Sequence, residues 1–84
     1  MQIEELKKAH EHSINNEVEI LRSKICGCFC CLKIFEANKI ISWLEDKQKT
    51  AKCPYCNVDA VIGDASGFKI TNKFLNNMHN KWFD

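Results

Sequence analysis

The sequence predicts a small α+β domain that is stabilised through its cysteines, and three observations support this prediction. Two Cys-x-x-Cys pairs, Cys28/Cys31 and Cys53/Cys56, are separated by 21 residues. Apolar residues recur at helical spacing near both ends of the chain, and a β-rich stretch follows the second pair. With 84 residues, the chain buries too little surface to be comfortably stable without help, so some stabilising link is expected. Residues 1–84 therefore read as one domain.

Residues 1–25 are predicted to form one amphipathic helix, followed by the metal-binding core and C-terminal helix over residues 26–84. Its apolar stripe contains His10 and the residues Ile3, Leu6, Ile14, Val18, Leu21 and Ile25. A helix of roughly 22 residues would be about 33 Å long, whereas a core of about 60 residues is only about 22 Å across. We therefore expect the stripe to overhang the core and to be covered by a second copy of the chain or by another protein.

The segment between the cysteine pairs is predicted to contain a short helix over residues 37–46. Ile40, Ile41, Trp43 and Leu44 supply its apolar residues, and the polar run that follows ends it. Lys49 to Lys52 then lead into Cys53 as a strand.

The C-terminal third is predicted to form a strand, a turn and a helix. The β-rich stretch after Cys56 ends at Gly63, and the small residues that follow indicate a turn. Thr71 is a suitable N-cap for the last helix, and Ile70 can pack against Leu75 as a hydrophobic staple. The apolar face of this helix consists of Phe74, Leu75, Met78, Trp82 and Phe83.

The Cys53-Pro54-Tyr55-Cys56 motif is compatible with two kinds of chemistry. A redox dithiol of the glutaredoxin kind needs its first cysteine at a helix N-terminus, but β-forming residues follow Cys56 instead. Two Cys-x-x-Cys turns, in contrast, supply the four thiolates of a structural zinc site. The sequence thus predicts a zinc ribbon with one structural Zn²⁺ bound by Cys28, Cys31, Cys53 and Cys56, and a thiol redox protein using Cys53 and Cys56 is an alternative.

Two cysteines and three histidines remain outside this ligand set. Cys26 is a possible alternative ligand, because a pairing of Cys26 with Cys31 is wider but feasible, and Cys30 is expected to serve local packing. His10, His12 and His79 are isolated in sequence, and isolated histidines are more often packed or solvated than bound to metal.

Three motifs carry a resemblance to a known group of proteins: "CGCFCC", "CPYCNVDAVIGDASGF" and "FLNNMHNKWF". They resemble short, functionally uncharacterised bacterial zinc-ribbon-like proteins with the patterns C-G-C-F-x-C, C-P-Y-C, D-x-V-I-G and M-H-x-x-W-F, over about residues 24–83. The resemblance implies the ligands Cys28, Cys31, Cys53 and Cys56, and leaves the role of Cys26 open. Cys30 departs from the pattern, which commonly has an aromatic residue there. The resemblance implies no activity.

The charge of the chain is small but unevenly distributed. The formal net charge is +1, and eleven of the twelve basic residues are lysine, a bias typical of AT-rich bacterial or phage genomes. Residues 1–23 contain five acidic and three basic residues, and residues 47–84 contain six lysines and three aspartates. The basic segment makes a nucleic-acid-binding ribbon an alternative, using Lys47, Lys49, Lys52, Lys69, Lys73 and Lys81. Its lack of arginine argues against base-specific contacts.

These observations predict a zinc-stabilised binding module rather than an enzyme, with a protein as the most favoured partner. A complete thiolate set leaves no open coordination position for catalysis, and the sequence shows no nucleophile elbow. An immunity protein or inhibitor of a bacterial or phage toxin is a further alternative. Reduced cysteines and the charged N-terminal segment indicate a cytoplasmic protein without a membrane partner.

Overall fold

The computed structural model describes residues 2–45 and 48–83 and measures 29 × 23 × 22 Å. The three helices are α1 (Ile3–Glu11), α2 (Glu17–Leu21) and α3 (Asn72–Trp82). The five strands are β1 (Ile25–Cys28), β2 (Ile34–Glu36), β3 (Trp43–Leu44), β4 (Thr50–Ala51) and β5 (Val61–Gly63). The predicted α+β class is confirmed. No helix in the described ranges is both long enough and apolar enough to cross a membrane.

The strands form two small antiparallel sheets. In the three-stranded sheet, β1 lies between β2 and β5, so that Gly27 is paired with Ile34 on one side and Ile62 on the other. In the two-stranded sheet, Trp43 of β3 is paired with Ala51 of β4. All of β5 and most of β1 are buried, which fits their apolar and β-branched residues. Cys28 is therefore the last residue of the central strand of this sheet and is itself buried.

The predicted single helix over residues 1–25 is wrong, because the chain bends between α1 and α2. Asn15 adopts a φ of 51°, in the left-handed region that interrupts a helix. The Ser13 hydroxyl donates to the His10 carbonyl at 2.6 Å. The Asn16 side-chain amide donates to the carbonyls of His12 and Val61. Serine and asparagine commonly compete with helical hydrogen bonds in this way. The bend leaves Leu6 and Ile20 buried, but Ile3, Ile14, Val18 and Leu21 exposed.

The predicted helix over residues 37–46 is also wrong for the residues described. Ala37–Lys39 form only one 3₁₀ turn, and Trp43–Leu44 form β3. The apolar residues alternate, since Ile40 is buried whereas Ile41 is exposed. This alternation suits an extended chain. The strand predicted before Cys53 is confirmed as β4.

The C-terminal elements agree with the sequence prediction except at the end of the last helix, where Trp82 and Phe83 of the predicted apolar face are exposed. The strand ends at Gly63, and a 3₁₀ turn over Asp64–Ser66 is closed by Gly67 at φ 93°. The Thr71 hydroxyl accepts a hydrogen bond from the Phe74 amide at 3.1 Å, as expected of an N-cap. Leu75, Phe74 and Met78 face the core, and α3 also packs against α1. The helix thus packs against α1 and brings Leu75 close to Gly27 of β1.

Gly27 lies where the side chains of Ile70 and Leu75 approach β1 closely. A Cβ atom at this position would lie 2.8 Å from Ile70 Cγ2 and 2.9 Å from Leu75 Cδ1. We expect Gly27→Ala to lower the free energy of unfolding by about 1–3 kcal/mol through overpacking. Thermal denaturation followed by circular dichroism measures the loss of stability. An unchanged melting temperature would show that Ile70 and Leu75 leave room for a Cβ atom at position 27.

Candidate metal centre

The first cysteine pair lies in a tight turn that begins at the last residue of β1. The Cys28 amide donates to the Lys33 carbonyl at 3.0 Å, and the Leu32 amide donates back to the Cys28 carbonyl at 2.8 Å. Leu32 adopts a φ of 68°, which is uncommon for a residue other than glycine, asparagine or aspartate. The amide of Cys30 points at Cys28 Sγ, 3.4 Å away. Hydrogen bonds of this kind stabilise a thiolate.

The second cysteine pair lies in a turn with the same pattern. The Cys53 amide donates to the Val58 carbonyl at 2.9 Å, and the Asn57 amide donates to the Cys53 carbonyl at 2.9 Å. Asn57 has a φ of 66°, and the Tyr55 amide lies 3.4 Å from Cys53 Sγ. Each turn thus closes five residues after its first cysteine and takes one left-handed residue to do so. Two equivalent turns facing each other present two thiols each to a common point.

The structure brings together the four cysteines that the sequence assigns as ligands. The Sγ atoms of Cys28, Cys31, Cys53 and Cys56 all lie within 4.8 Å of one another. Two contacts join the turns: Cys28 Sγ lies 3.6 Å from Cys56 Sγ, and Cys31 Sγ lies 3.7 Å from Cys53 Sγ. This group can hold a metal ion.

The sulfur spacing fits zinc. A tetrahedral Zn²⁺ with bonds of about 2.3 Å separates its thiolate sulfurs by about 3.8 Å, close to these two distances between the turns. A disulfide requires about 2.05 Å, and all six cysteines are free thiols. The donor set is purely sulfur, which suits zinc better than magnesium or calcium.

The surroundings of the four thiols act on their pKa values in opposite directions. Burial raises the pKa of Cys28 well above the ordinary thiol range, although the amides of Cys31 and Cys30 oppose it. Burial likewise raises the pKa of Cys31. Burial also acts to raise the pKa of Cys53, but the amides of Cys56 and Tyr55 outweigh it, and this pKa is lowered. A bound dication would favour the thiolates, so metal affinity should fall as the pH falls.

Cys26 and Cys30 do not belong to the group of four. Cys26 is fully buried in β1, opposite Phe35 and Gly63. Burial, with a smaller contribution from the Asp64 carboxylate, raises the pKa of Cys26 to about 12, so its thiol remains protonated at neutral pH. Cys30 is half-buried and packs at the edge of the core.

Neighbouring cysteines in the first turn should respond differently to substitution. We expect Cys30→Ser to leave the zinc content at about one ion per chain, whereas Cys31→Ser should remove most of it, because only Cys31 belongs to the thiolate set. Elemental analysis of both purified variants measures this. Loss of zinc from the Cys30 variant would show that the ligands of this turn are wrongly assigned.

The structure gives His79 a role that the sequence analysis missed. The Nδ1 atom lies 2.9 Å from the Phe29 carbonyl oxygen, and since a carbonyl only accepts, Nδ1 carries the proton. Phe29 lies within the first turn, so His79 ties the last helix to that turn. The sequence offers no local signal for this contact, because the two residues are 50 positions apart. His12 instead contacts the Glu19 carboxylate at 2.9 Å, and His10 packs against Trp82.

The lysines proposed for nucleic-acid binding have different surroundings, and Lys47 lies outside the described residues. Lys49 Nζ is within 3.8 Å of Glu17 and 3.7 Å of Glu45, which partly neutralise it. Lys81 Nζ lies over the Trp82 ring. Lys69 and Lys73 are exposed and Lys52 is half-buried.

Comparison of the chain with protein-family models, curated proteins and solved structures finds no match. The candidate metal centre is therefore assigned from its donor atoms, their spacing and the two turns that hold them.

Proposed function

We propose that this chain is a protein-binding module of the zinc-ribbon kind, stabilised by one structural Zn²⁺. Four thiolates from two facing turns complete a tetrahedral shell, so the ion has no open position for a substrate or water. Membership in the group of short bacterial proteins that the cysteine motifs resemble is part of this proposal. The observation that carries the zinc assignment is the convergence of Cys28, Cys31, Cys53 and Cys56.

The proposed binding surface is formed by Ile14, Val18 and Leu21, here called the N-terminal surface. These side chains are 48, 67 and 71% exposed, although the same segment buries Leu6 and Ile20. Val18 and Leu21 lie one turn apart on α2, and Ile14 precedes them across the bend. Several apolar side chains exposed close together favour a protein partner over solvent.

The charge around the N-terminal surface favours a partner other than a second copy of the chain. Glu11, Glu19 and Arg22 line a cavity of about 450 Å³ that Ile14 and Val18 also line. A two-fold dimer would place the same slightly acidic surface against itself, which costs electrostatic free energy. A partner with a basic, apolar segment would complement it. Self-association through this surface is the competing outcome of the test.

The N-terminal surface is tested with Val18→Ser/Leu21→Ser, and Ile41→Ser is the control because Ile41 is 84% exposed elsewhere on the chain. The zinc-loaded chain is used to isolate a stoichiometric partner from its host, and the affinity for the purified partner is then measured. The double variant should bind at least about tenfold more weakly, equivalent to about 1.4 kcal/mol, while Ile41→Ser should bind normally.

Light scattering of the same proteins tests self-association. A dimer that dissociates in the double variant would identify a second copy as the partner instead. Equal affinity of both variants for the isolated partner, with no change in mass, would rule out this surface.

A further inference from the structure

A second cavity, of about 250 Å³, opens between α1, the chain before β5 and the end of α3. We call it the aromatic pocket. Four aromatic rings and one carboxylate contribute to its lining: His10, Phe29, Trp82, Phe83 and Asp59.

The rings of the aromatic pocket hold one another in place. His10 lies 4.2 Å from the Trp82 ring centroid, and Phe29 lies 5.7 Å from that of Phe83. His79 stacks on Phe83 at 5.6 Å while donating to the Phe29 carbonyl. Phe29 is buried, whereas Trp82 and Phe83 retain 37 and 46% exposure. The base of the pocket is therefore formed by Phe29 of the first cysteine turn, and its rim, formed by Trp82 and Phe83, is open to solvent.

The charge of the aromatic pocket is set by Asp59. No lysine or arginine from residues 2–45 or 48–83 lines it, and within the same ranges no basic side chain forms an ion pair with Asp59. Aromatic faces carry a partial negative charge and attract cations. Asp59 is exposed, so water can solvate its carboxylate when the pocket is empty. A guest cation can pair with this carboxylate while it lies against the rings, whereas an apolar guest gains only the ring contacts.

A cationic side chain of the chain itself already lies over one ring of the pocket. Lys81 Nζ lies 5.3 Å from the Trp82 ring centroid, although Lys81 is exposed and free to extend into solvent. A guest cation at Trp82 would be repelled by this ammonium group. Removing the Lys81 charge should therefore strengthen binding.

We propose that the aromatic pocket binds the cationic side chain, arginine or lysine, of a partner protein. This proposal rests on the proposed function in one respect, namely that the cation belongs to a partner protein. The affinity of the pocket for a cation follows from the rings and Asp59 alone. Ile14 lines both the aromatic pocket and the cavity beside the N-terminal surface. The partner should therefore carry its basic residue next to the apolar residues that contact the N-terminal surface.

The test titrates the zinc-loaded chain with n-butylguanidinium and with its neutral analogue n-butylurea at constant ionic strength, followed by NMR. The indole N–H signal of Trp82 should shift with the cation only, while that of Trp43 serves as an internal reference. Asp59→Asn should weaken binding about threefold to fivefold, the size of an exposed ion pair. Lys81→Gln should tighten it, and Glu36→Gln, an exposed carboxylate outside the pocket, should leave it unchanged.

Equal shifts with butylurea, no shift of Trp82, or unchanged binding by Asp59→Asn would each overturn the cation site. The outcome is separable from that of the proposed function. Val18→Ser/Leu21→Ser should bind n-butylguanidinium normally, because neither residue lines the pocket. Loss of partner binding in that variant would support the N-terminal surface even if the pocket binds no cation.

Discussion

Removal of the metal with a chelator is expected to unfold the chain. The two cysteine turns join the end of β1 to the segment before β5, and the four converging thiols belong to residues that either lie in the core or pack against it. In a domain of this size, the free energy of zinc binding, on the order of 10 kcal/mol at neutral pH, is largely folding free energy. Circular dichroism should therefore lose its cooperative thermal transition on chelation and recover it when zinc is returned.

Cys53→Ser should unfold the chain even without a chelator, because it removes one of the four thiols that converge at the site. The Cys53 thiol contacts that of Cys31 across the site. Cys26→Ser and Cys30→Ser are the matched controls: each removes one thiol outside the group of four, so each should retain a cooperative transition that chelation abolishes. A chelated chain with unchanged hydrogen-exchange protection would show that the core is stable without the metal.

Asn16→Ala is expected to cause a large loss of stability, although Asn16 lies outside the group of four cysteines. The buried Asn16 amide donates to the His12 carbonyl at 2.9 Å and to the Val61 carbonyl at 3.0 Å, and its oxygen accepts from the Ala51 amide at 3.0 Å. One side chain thus joins the N-terminal segment, β5 and β4. Truncation leaves buried backbone groups unpaired, which costs about 2–4 kcal/mol in all.

The control for Asn16 is Asn76→Ala. Asn76 is exposed on α3, and its amide donates to the Asn72 carbonyl of the same helix at 2.9 Å. Its loss should change the free energy of unfolding by less than about 0.5 kcal/mol, since alanine is the better helix former. Urea denaturation of the zinc-loaded variants measures both. Equal midpoints for the two variants would show that water replaces the Asn16 hydrogen bonds at no cost.

The sequence was sufficient where structure depends on neighbouring residues. The Cys-x-x-Cys spacing defines each turn locally, and Thr71 and Gly63 are local signals for the start of α3 and the end of β5. Asn57 could have been identified as left-handed from its residue type. The left-handed conformation of Leu32 could not have been identified in this way, because leucine seldom adopts it. Leu32 occupies the position in the first turn that Asn57 occupies in the second.

The sequence was insufficient where distant segments decide the structure. A short apolar run such as that around Ile40 and Trp43 is compatible with helix or strand, and its pairing with β4 settles the choice. The bend after α1 has a local signal in Ser13, Asn15 and Asn16. The reason for it is long-range, because Asn16 must reach Val61 and Ala51.

The ligand sphere of the metal is most directly measured by X-ray absorption at the zinc edge of the protein purified under reducing conditions. The proposed zinc site predicts about one zinc per chain with four sulfur neighbours at about 2.3 Å and no nitrogen or oxygen neighbour. A metal-free chain whose Cys28, Cys31, Cys53 and Cys56 are joined as disulfides, or a zinc shell containing nitrogen or oxygen, would contradict the assignment.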